Sequence, residues 1–265
     1  MKAIVCVKEV PETPDGVRAT DQGYLSAKED GSFLVDPIGP YAVETALRLR
    51  DQKGGEVVVI CQGTARAEKI LKESALAVGA NEAFLLADDA MKGADPHATA
   101  RALAAAIRKV GGYDIVLCGD RAADDNAAIV GPALARLLDI PALTFVDEIL
   151  EFDPDAKTIK VARGLENGRE IVESSLPAVV TVIKGIYELR YPSLLGIRKA
   201  AKKEVPAWTA ADLGEDPSGI GIAGSPTFIR ALNPPPAAGA VEMIQGEPKE
   251  MADALVRKIM DAKIL

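Results

Sequence analysis

The residues best suited to chemistry lie in one stretch, Gly119-Asp120-Arg121-Ala122-Ala123-Asp124-Asp125-Asn126-Ala127-Ala128-Ile129-Val130-Gly131-Pro132. It follows an apolar run, Ile115 to Cys118, and opens a segment of helical spacing, so it reads as a strand-to-helix turn. Gly119 permits a tight turn, and Asp124, Asp125 or Asn126 is placed to cap the helix. The free backbone N–H groups of the first helical turn then form an anion site, where a phosphate needs no charged side chain. The pattern is neither GxGxxG nor a P-loop. On spacing alone, nucleotide binding and an ordinary capped helix both stay open.

The other reactive side chains are few. Cys6, Cys61 and Cys118 each fall at or near the end of an apolar run. They form no CxxC pair, which argues against a zinc site and a dithiol centre. Their odd number fits a reducing compartment. No basic partner is near them in sequence, so they read as small buried hydrophobes that are reactive in no special way but sit near strand ends. The single histidine, His97, lies in Asp95-Pro96-His97-Ala98 and reads as a solvated residue at a helix start. One histidine leaves no room for a Ser-His-Asp set around it, and multi-histidine metal sites are excluded within this chain. Acidic residues are plentiful, yet no spacing marks a catalytic pair. No catalytic residue is assigned, and the expectation is a ligand-binding fold rather than an enzyme.

The elements that position these residues alternate. Apolar runs at Ile4–Val7, Val57–Cys61, Ala83–Leu86 and Ile115–Cys118 are separated by helical faces. Those faces are Val43, Ala46 and Leu47; Ile70, Leu71, Ala75 and Val78; and Leu103, Ala106, Ile107 and Val110. Each precedes a glycine suited to ending a helix. A fourth face, Ala127, Val130, Leu134 and Leu137, follows Cys118. Such alternation predicts an α/β fold with a mostly parallel, doubly wound sheet. Ligands in such sheets bind at the carboxyl ends of the strands, where the strand order reverses. Ala142–Phe152, Thr158–Arg163 and Glu170–Ser174 then read as an antiparallel extension, and Ala178–Val182 as one more buried strand.

Beyond about Lys184 the core signal weakens, and prolines from Pro192 to Pro234-Pro235-Pro236 punctuate the chain. The expected division is a nucleotide-binding domain over 1–190 and, over 191–265, a recognition loop with an extended C-terminal arm. A helix is expected near Pro248 with the apolar face Met251, Leu255 and Ile259; a flexible tail is one reading, and the apolar face favours an arm that wraps a partner.

The chain has 265 residues, 48% of them apolar, 4% aromatic and 26% charged, with a net charge of -8. That suits a core of small aliphatic residues and gives no electrostatic reason for nucleic-acid binding. One basic cluster, Arg198-Lys199-Ala200-Ala201-Lys202-Lys203, runs against the average. No run reaches the roughly 20 apolar residues of a membrane span. The start carries no secretory signal pattern, so a cytoplasmic location is expected.

Four segments together resemble the beta subunit of electron-transfer flavoproteins. They are Ile4 to Pro11; Asp36-Pro37-Ile38-Gly39 with Ala42, Glu44 and Ala46; the Gly119–Pro132 loop; and Arg163, Glu166, Gly168 and Glu170 followed by Leu176 to Val182 and Arg190 to Ala200. The last is the most specific, and the resemblance runs over essentially the whole chain. It implies a sheet domain of the adenine-nucleotide-binding, Rossmann-like kind. It implies an obligate heterodimer with an alpha subunit that holds most of an electron-carrying FAD. Electrons would come from acyl-CoA dehydrogenases, as in fatty acid oxidation, and pass to a quinone oxidoreductase or similar acceptor, without insertion into the membrane.

The resemblance also implies a nucleotide in this chain, AMP or, in electron-bifurcating members that oxidise NADH, a second FAD. The positions carried over are Cys6, Asp36, Pro37, Ile38, Gly39, Cys61, Gly119, Asp120, Arg121, Ala122, Asp124, Asp125, Asn126, Ala127, Ala128, Ile129 and Val130. Where AMP-binding members carry polar residues, this chain has Ala128, Ile129 and Val130. Val130-Gly131-Pro132 resembles the bifurcating pattern, whereas Asp124-Asp125-Asn126-Ala127 departs from its Asp-Gly-Asp-Thr run. AMP is the expectation and a second FAD the alternative. The family's recognition loop places a leucine at Leu194, with Tyr191, Leu195, Ile197 and Arg198 around it, as the anchor for a partner dehydrogenase. Read without the resemblance, Leu194 and Leu195 are two core leucines opening a helix.

Overall fold

Runs rich in valine, isoleucine and leucine become strands because branched side chains fit the pleat. The structure is a computed structural model and describes residues 1–13, 17–19, 25–27, 31–229 and 241–263. In chain order its elements are β1 (Lys2–Pro11), β2 (Val17–Ala19), β3 (Leu25–Ala27), β4 (Phe33–Val35), α1 (Gly39–Lys53) and β5 (Glu56–Gln62). Next come α2 (Ala67–Leu71), which runs into a π-helical turn (Lys72–Leu76), then β6 (Glu82–Leu86), α3 (Pro96–Val110), β7 (Ile115–Gly119) and α4 (Val130–Leu138). The remainder comprises β8 (Ala142–Asp153), β9 (Thr158–Leu165), β10 (Gly168–Ser175), β11 (Ala178–Val182), α5 (Leu194–Lys202), β12 (Ala207–Trp208) and α6 (Pro248–Asp261).

The main sheet has the order β10-β9-β8-β11-β7-β1-β5-β6-β12. Strands from β8 through β12 in that order run parallel, whereas β9 and β10 are antiparallel and form the expected extension. β4 pairs antiparallel with the end of β1, and β2 with β3 makes a separate two-stranded ribbon. From β1 the chain winds outward through β5 and β6, then returns to the other side of β1 at β7. The winding therefore reverses between β1 and β7. There Cys6 and Cys118 are Cα partners, and Val7 pairs with Cys61 on the opposite side.

Side chains of β1 alternate between two cores. Ala3, Val5 and Val7 join α1 and α2, including Ala46, Leu47 and Leu71. Ile4 and Cys6 join α3 and α4, including Leu103, Ile107 and Leu134. β11 is buried throughout, as a strand covered on both faces must be. Each fully buried aliphatic side chain contributes about 1.5–3 kcal/mol. Asp95 caps α3, accepting from the Ala98 N–H at 2.9 Å, with Pro96 in its first turn. Gly54 and Gly111, at φ 72° and 61°, end α1 and α3. A non-glycine side chain resists that conformation.

The first compact unit is Met1–Arg230, and the second is Ala231–Leu265. The boundary thus lies later than the one expected at 190. Residues 191–229 carry only the short α5 and β12 besides single-turn helices, and they dock on the sheet domain. Ala200 of α5 is buried in the α1–α2 core, β12 adds a parallel strand beside β6, and Trp208 stacks on Phe84 at 4.2 Å. In the second unit α6 begins at the proline the sequence marks, with a capping box between Glu247 and Glu250 and no buried residue. Pro234, Pro235 and Pro236 lie outside the described residues. No helix among those residues is long and apolar enough to cross a membrane.

Candidate functional site

A cleft of about 640 Å³ opens at the carboxyl ends of β1, β5, β6 and β7, across the winding reversal. Its wall includes Cys6, Asp36, Gly39, Gly119, Asp120, Arg121, Ala122, Asp125, Ala127, Ala128, Ile129 and Val130. Segments distant in sequence therefore share one surface, as the strand-end rule predicts. Pro37, Ile38, Asp124 and Asn126 do not line it, although Ile38 packs on the Gly119 backbone.

Cys61 faces away. It belongs to the core under α1 and α2, whereas Cys6 and Cys118 belong to the other. Position along a strand end does not fix which face a side chain takes, because alternation sends neighbours to opposite sides. Burial pushes the Cys6 thiol well above its ordinary value and pushes Cys61 and Cys118 up to about 12, with Glu9 and Asp120 adding to the last two. All three thiols are free and neutral near pH 7, so they are poor nucleophiles.

The loop after β7 is built differently from its sequence reading. α4 begins at Val130, not near Ala127, and its cap residue is Ile129, with no side-chain cap. The acidic residues expected to cap it are used elsewhere. Lys8 Nζ donates to Asp124 Oδ1 at 2.7 Å and to Asp125 Oδ2 at 3.4 Å, and the Ala127 N–H donates to Asp125 Oδ1 at 3.1 Å. Asn126 and Ala128 take left-handed backbone, at φ 51° and 55°. For alanine that costs about 1–2 kcal/mol, and such strain gathers at ligand sites. Because Pro132 has no N–H, the first-turn donors of α4 that remain free for an anion are those of Val130 and Gly131.

Gly131 is fixed by space. A Cβ there would stand 2.2 Å from Thr181 Cγ2 and 3.3 Å from Cys118 Sγ. The start of α4 therefore lies directly on the ends of β7 and β11. Asp36 ties the loop down from behind: Oδ1 accepts from the Ile38 N–H at 2.9 Å and Oδ2 from the Ala123 N–H at 2.6 Å. Arg121 donates to Asp120 Oδ2 at 2.7 Å and lies over the Phe145 ring, itself at φ 57°.

The sequence reading missed half the cleft. Gln62 ends β5 and Gly63 and Thr64 follow it, Ala87 and Asp88 follow β6, and Met91, Lys92 and Thr99 complete the far wall. The strand-end rule already placed the segment after Cys61 near the site; carried past Leu86 as well, it finds the first two segments. Asp88 accepts from the Ala90 and Ala210 N–H groups at 3.0 and 2.8 Å, which hold its carboxyl below the usual range. His97 is exposed on α3, as expected. Two buried acceptors in the cleft wall, Asp120 Oδ1 and Gln62 Oε1, have no hydrogen-bond partner among the described residues. Backbone donors at one end and open acceptors in the wall suit a ligand with a phosphate and hydroxyl or amino groups.

A second surface lies outside the cleft. Tyr191, Leu194 and Leu195 are 94%, 81% and 62% exposed, and Ile197 and Arg198 are exposed beside them. The reading of Leu194 and Leu195 as core leucines is thereby overturned. Ser193 caps α5, accepting from the Gly196 N–H at 3.0 Å. A Cβ on Gly196 would meet the Ala77 carbonyl oxygen at 2.3 Å, so α5 lies tight on the end of the π-helical turn. From the other side Arg190 donates to buried Glu44 at 2.7 Å and reaches Asp51 at 3.0 Å. Glu44 also accepts from Arg48 at 2.8 Å.

A family model described as the electron transfer flavoprotein domain matches residues 25–213. An electron transfer flavoprotein subunit beta from Thermoanaerobacterium thermosaccharolyticum is 41% identical over 266 residues, with both chains covered in full. The caffeyl-CoA reductase-Etf complex subunit CarD of Acetobacterium woodii is 37% identical over 267 residues, again with full coverage. Protein FixA of Azotobacter vinelandii is 34% identical, over 98% of this chain and 94% of that protein.

Proposed function

Because this chain belongs to the electron transfer flavoprotein family, as a beta subunit, we propose that it is the non-catalytic small subunit of a heterodimeric electron carrier. An alpha subunit holds most of the shared FAD, which supplies the redox chemistry when bound. This chain holds an adenine nucleotide, AMP, in the cleft at the winding reversal. The observation that carries the reading is the convergence of Cys6, Asp36, Gly39 and the Gly119–Val130 loop on one cleft. The Val130 and Gly131 N–H groups receive the phosphate, Lys8 stands at the mouth, and Asp36 keeps the loop in place.

The electron donors are dehydrogenases of the acyl-CoA type, and the acceptor is a quinone oxidoreductase or a similar protein. The name of the Acetobacterium relative sets an Etf in a complex with a reductase of a CoA thioester, which supports redox partners acting on CoA thioesters as a class. The exposed leucines at the start of α5 form an apolar anchor with a basic rim, the composition of a protein-docking hot spot. Leu194 enters the dehydrogenase, and Tyr191, Leu195, Ile197 and Arg198 surround it. Three free buried cysteines fit a cytoplasmic site of action.

One observation favours a second reading. The cleft continues past the loop to Gln62, Asp88, Lys92 and Thr99, and a volume of about 640 Å³ admits a dinucleotide as well as a mononucleotide. In that reading the chain carries a second FAD and takes part in oxidising NADH. The heterodimer purified with its alpha subunit decides between them. One FAD and one AMP per heterodimer is the expected count after denaturation and chromatography. Two FAD and no AMP establishes the second reading, and no nucleotide beyond one FAD overturns both.

A further inference from the structure

Five carboxylates line the cleft: Asp36, Asp88, Asp89, Asp120 and Asp125. Four are satisfied within the chain. Asp36 and Asp88 each accept two backbone N–H groups, Asp125 accepts from Ala127 and Lys8, and Asp89 pairs with Lys92 at 2.7 Å. Asp120 differs. Its residue is only 6% exposed, Arg121 holds Oδ2, and Oδ1 has no partner among the described residues. A buried unpaired acceptor costs free energy that a ligand donor restores. A phosphate has no such donor to give and repels a carboxylate. A hydroxyl has the donor, and acidic residues at strand ends take ribose hydroxyls in sheets of this kind.

Position selects the ribose. Asp120 follows Cys118 by two residues, and Cys118 Sγ lies against the start of α4 at Gly131. A phosphate on the free N–H groups of α4 therefore places the group joined to it, the sugar, beside Asp120. The other open acceptor, Gln62 Oε1, stands at the end of β5, two strands away across β1. Neighbouring strands are about 4.8 Å apart, so the two acceptors are separated by roughly the span from a ribose to the far edge of its base. The half-exposed Arg121 side chain can follow as the carboxylate turns its open oxygen to the cleft.

We propose that Asp120 accepts a ribose hydroxyl of the nucleotide in this cleft and so makes the site selective for ribonucleotides with free sugar hydroxyls. The inference rests on the nucleotide reading above and adds the sugar-reading residue to it. The heterodimer, freed of nucleotide, is titrated by calorimetry with AMP, 2′-deoxy-AMP and 3′-deoxy-AMP. One of the deoxy compounds is expected to bind about tenfold or more weaker than AMP, the loss of one charge-assisted hydrogen bond. Asp120→Ala should bind all three alike, and Asp120→Asn, which keeps an acceptor, should retain part of the preference. Equal affinity for the three in the unaltered protein overturns the assignment, as does full discrimination in Asp120→Ala. Should Asp120→Ala fail to fold, the deoxy series on the unaltered protein still decides. If AMP itself does not bind, the AMP reading fails and the sugar assignment to Asp120 falls with it, a result distinct from AMP binding without discrimination.

Discussion

The cleft and the start of α5 are carried by one sheet domain and are built on opposite plans. In the cleft nearly every polar group is tied to backbone or to a neighbouring charge, and the loop from Arg121 to Ile129 holds left-handed residues in place. At α5 the polar groups anchor the helix from beneath, through Ser193, Gly196 and Arg190, while the apolar side chains face outward. A small polar ligand demands the first plan, since its few hydrogen bonds count only where the donors are fixed beforehand. A protein partner demands the second, because a large apolar anchor gains its affinity from desolvation on contact.

That contrast can be broken most severely at Gly131. Gly131→Val forces α4 off Thr181, an overpacking expected to cost about 3 kcal/mol or more. Thermal melts should show the loss, and bound nucleotide should fall with it. A variant that melts normally and keeps its nucleotide shows that α4 does not need that close approach. Leu194→Ala is the opposite case. Its melting should stay within about 0.5 kcal/mol of the parent, while affinity for a dehydrogenase drops by about 2 kcal/mol, roughly thirtyfold. Stopped-flow transfer from the reduced dehydrogenase measures the second effect. A large drop in melting with normal transfer would return Leu194 to the core.

Arg190 tests whether the two regions are independent. Arg190→Met leaves Glu44 with Arg48 alone and should destabilise by about 1–2 kcal/mol, weakening dehydrogenase binding but leaving nucleotide content unchanged. Loss of nucleotide in this variant would show that the cleft and α5 are coupled. The smallest effect is expected at Ala128. Ala128→Gly relieves a left-handed alanine and should stabilise by up to about 1 kcal/mol. Lower stability in chemical denaturation would mean that the methyl group makes a contact outweighing its backbone strain.

How far the residues alone reach differs between these regions. The strands at Ile4, Val57, Ala83 and Ile115, the antiparallel extension and the proline that starts α6 are all legible, because each depends on a local period, turn or cap. The loop after Cys118 is legible as a site but not as a shape. Asp124 and Asp125 have the side chains of caps, yet Lys8, more than 100 positions earlier, claims them both. The cleft's far wall is legible only as strand ends: Gln62 and Asp88 carry no motif, and their roles in the cleft show only beside Cys6 and Gly119.

Sequence by itself determined the parallel α/β architecture, the strand-end location of the cleft and membership in a flavoprotein family, because periodicity and ordered motifs are written locally. Tertiary structure alone decided which way the cysteines face, where α4 begins, that residues 191–229 join the sheet domain, and that Leu194 stands in the open. Each of these turns on which distant side chain arrives first at a shared hydrogen bond or a shared space. A close approach such as Gly196 on Ala77, or an ion pair such as Arg190 on Glu44, joins residues more than 100 positions apart, and no spacing along the chain records it.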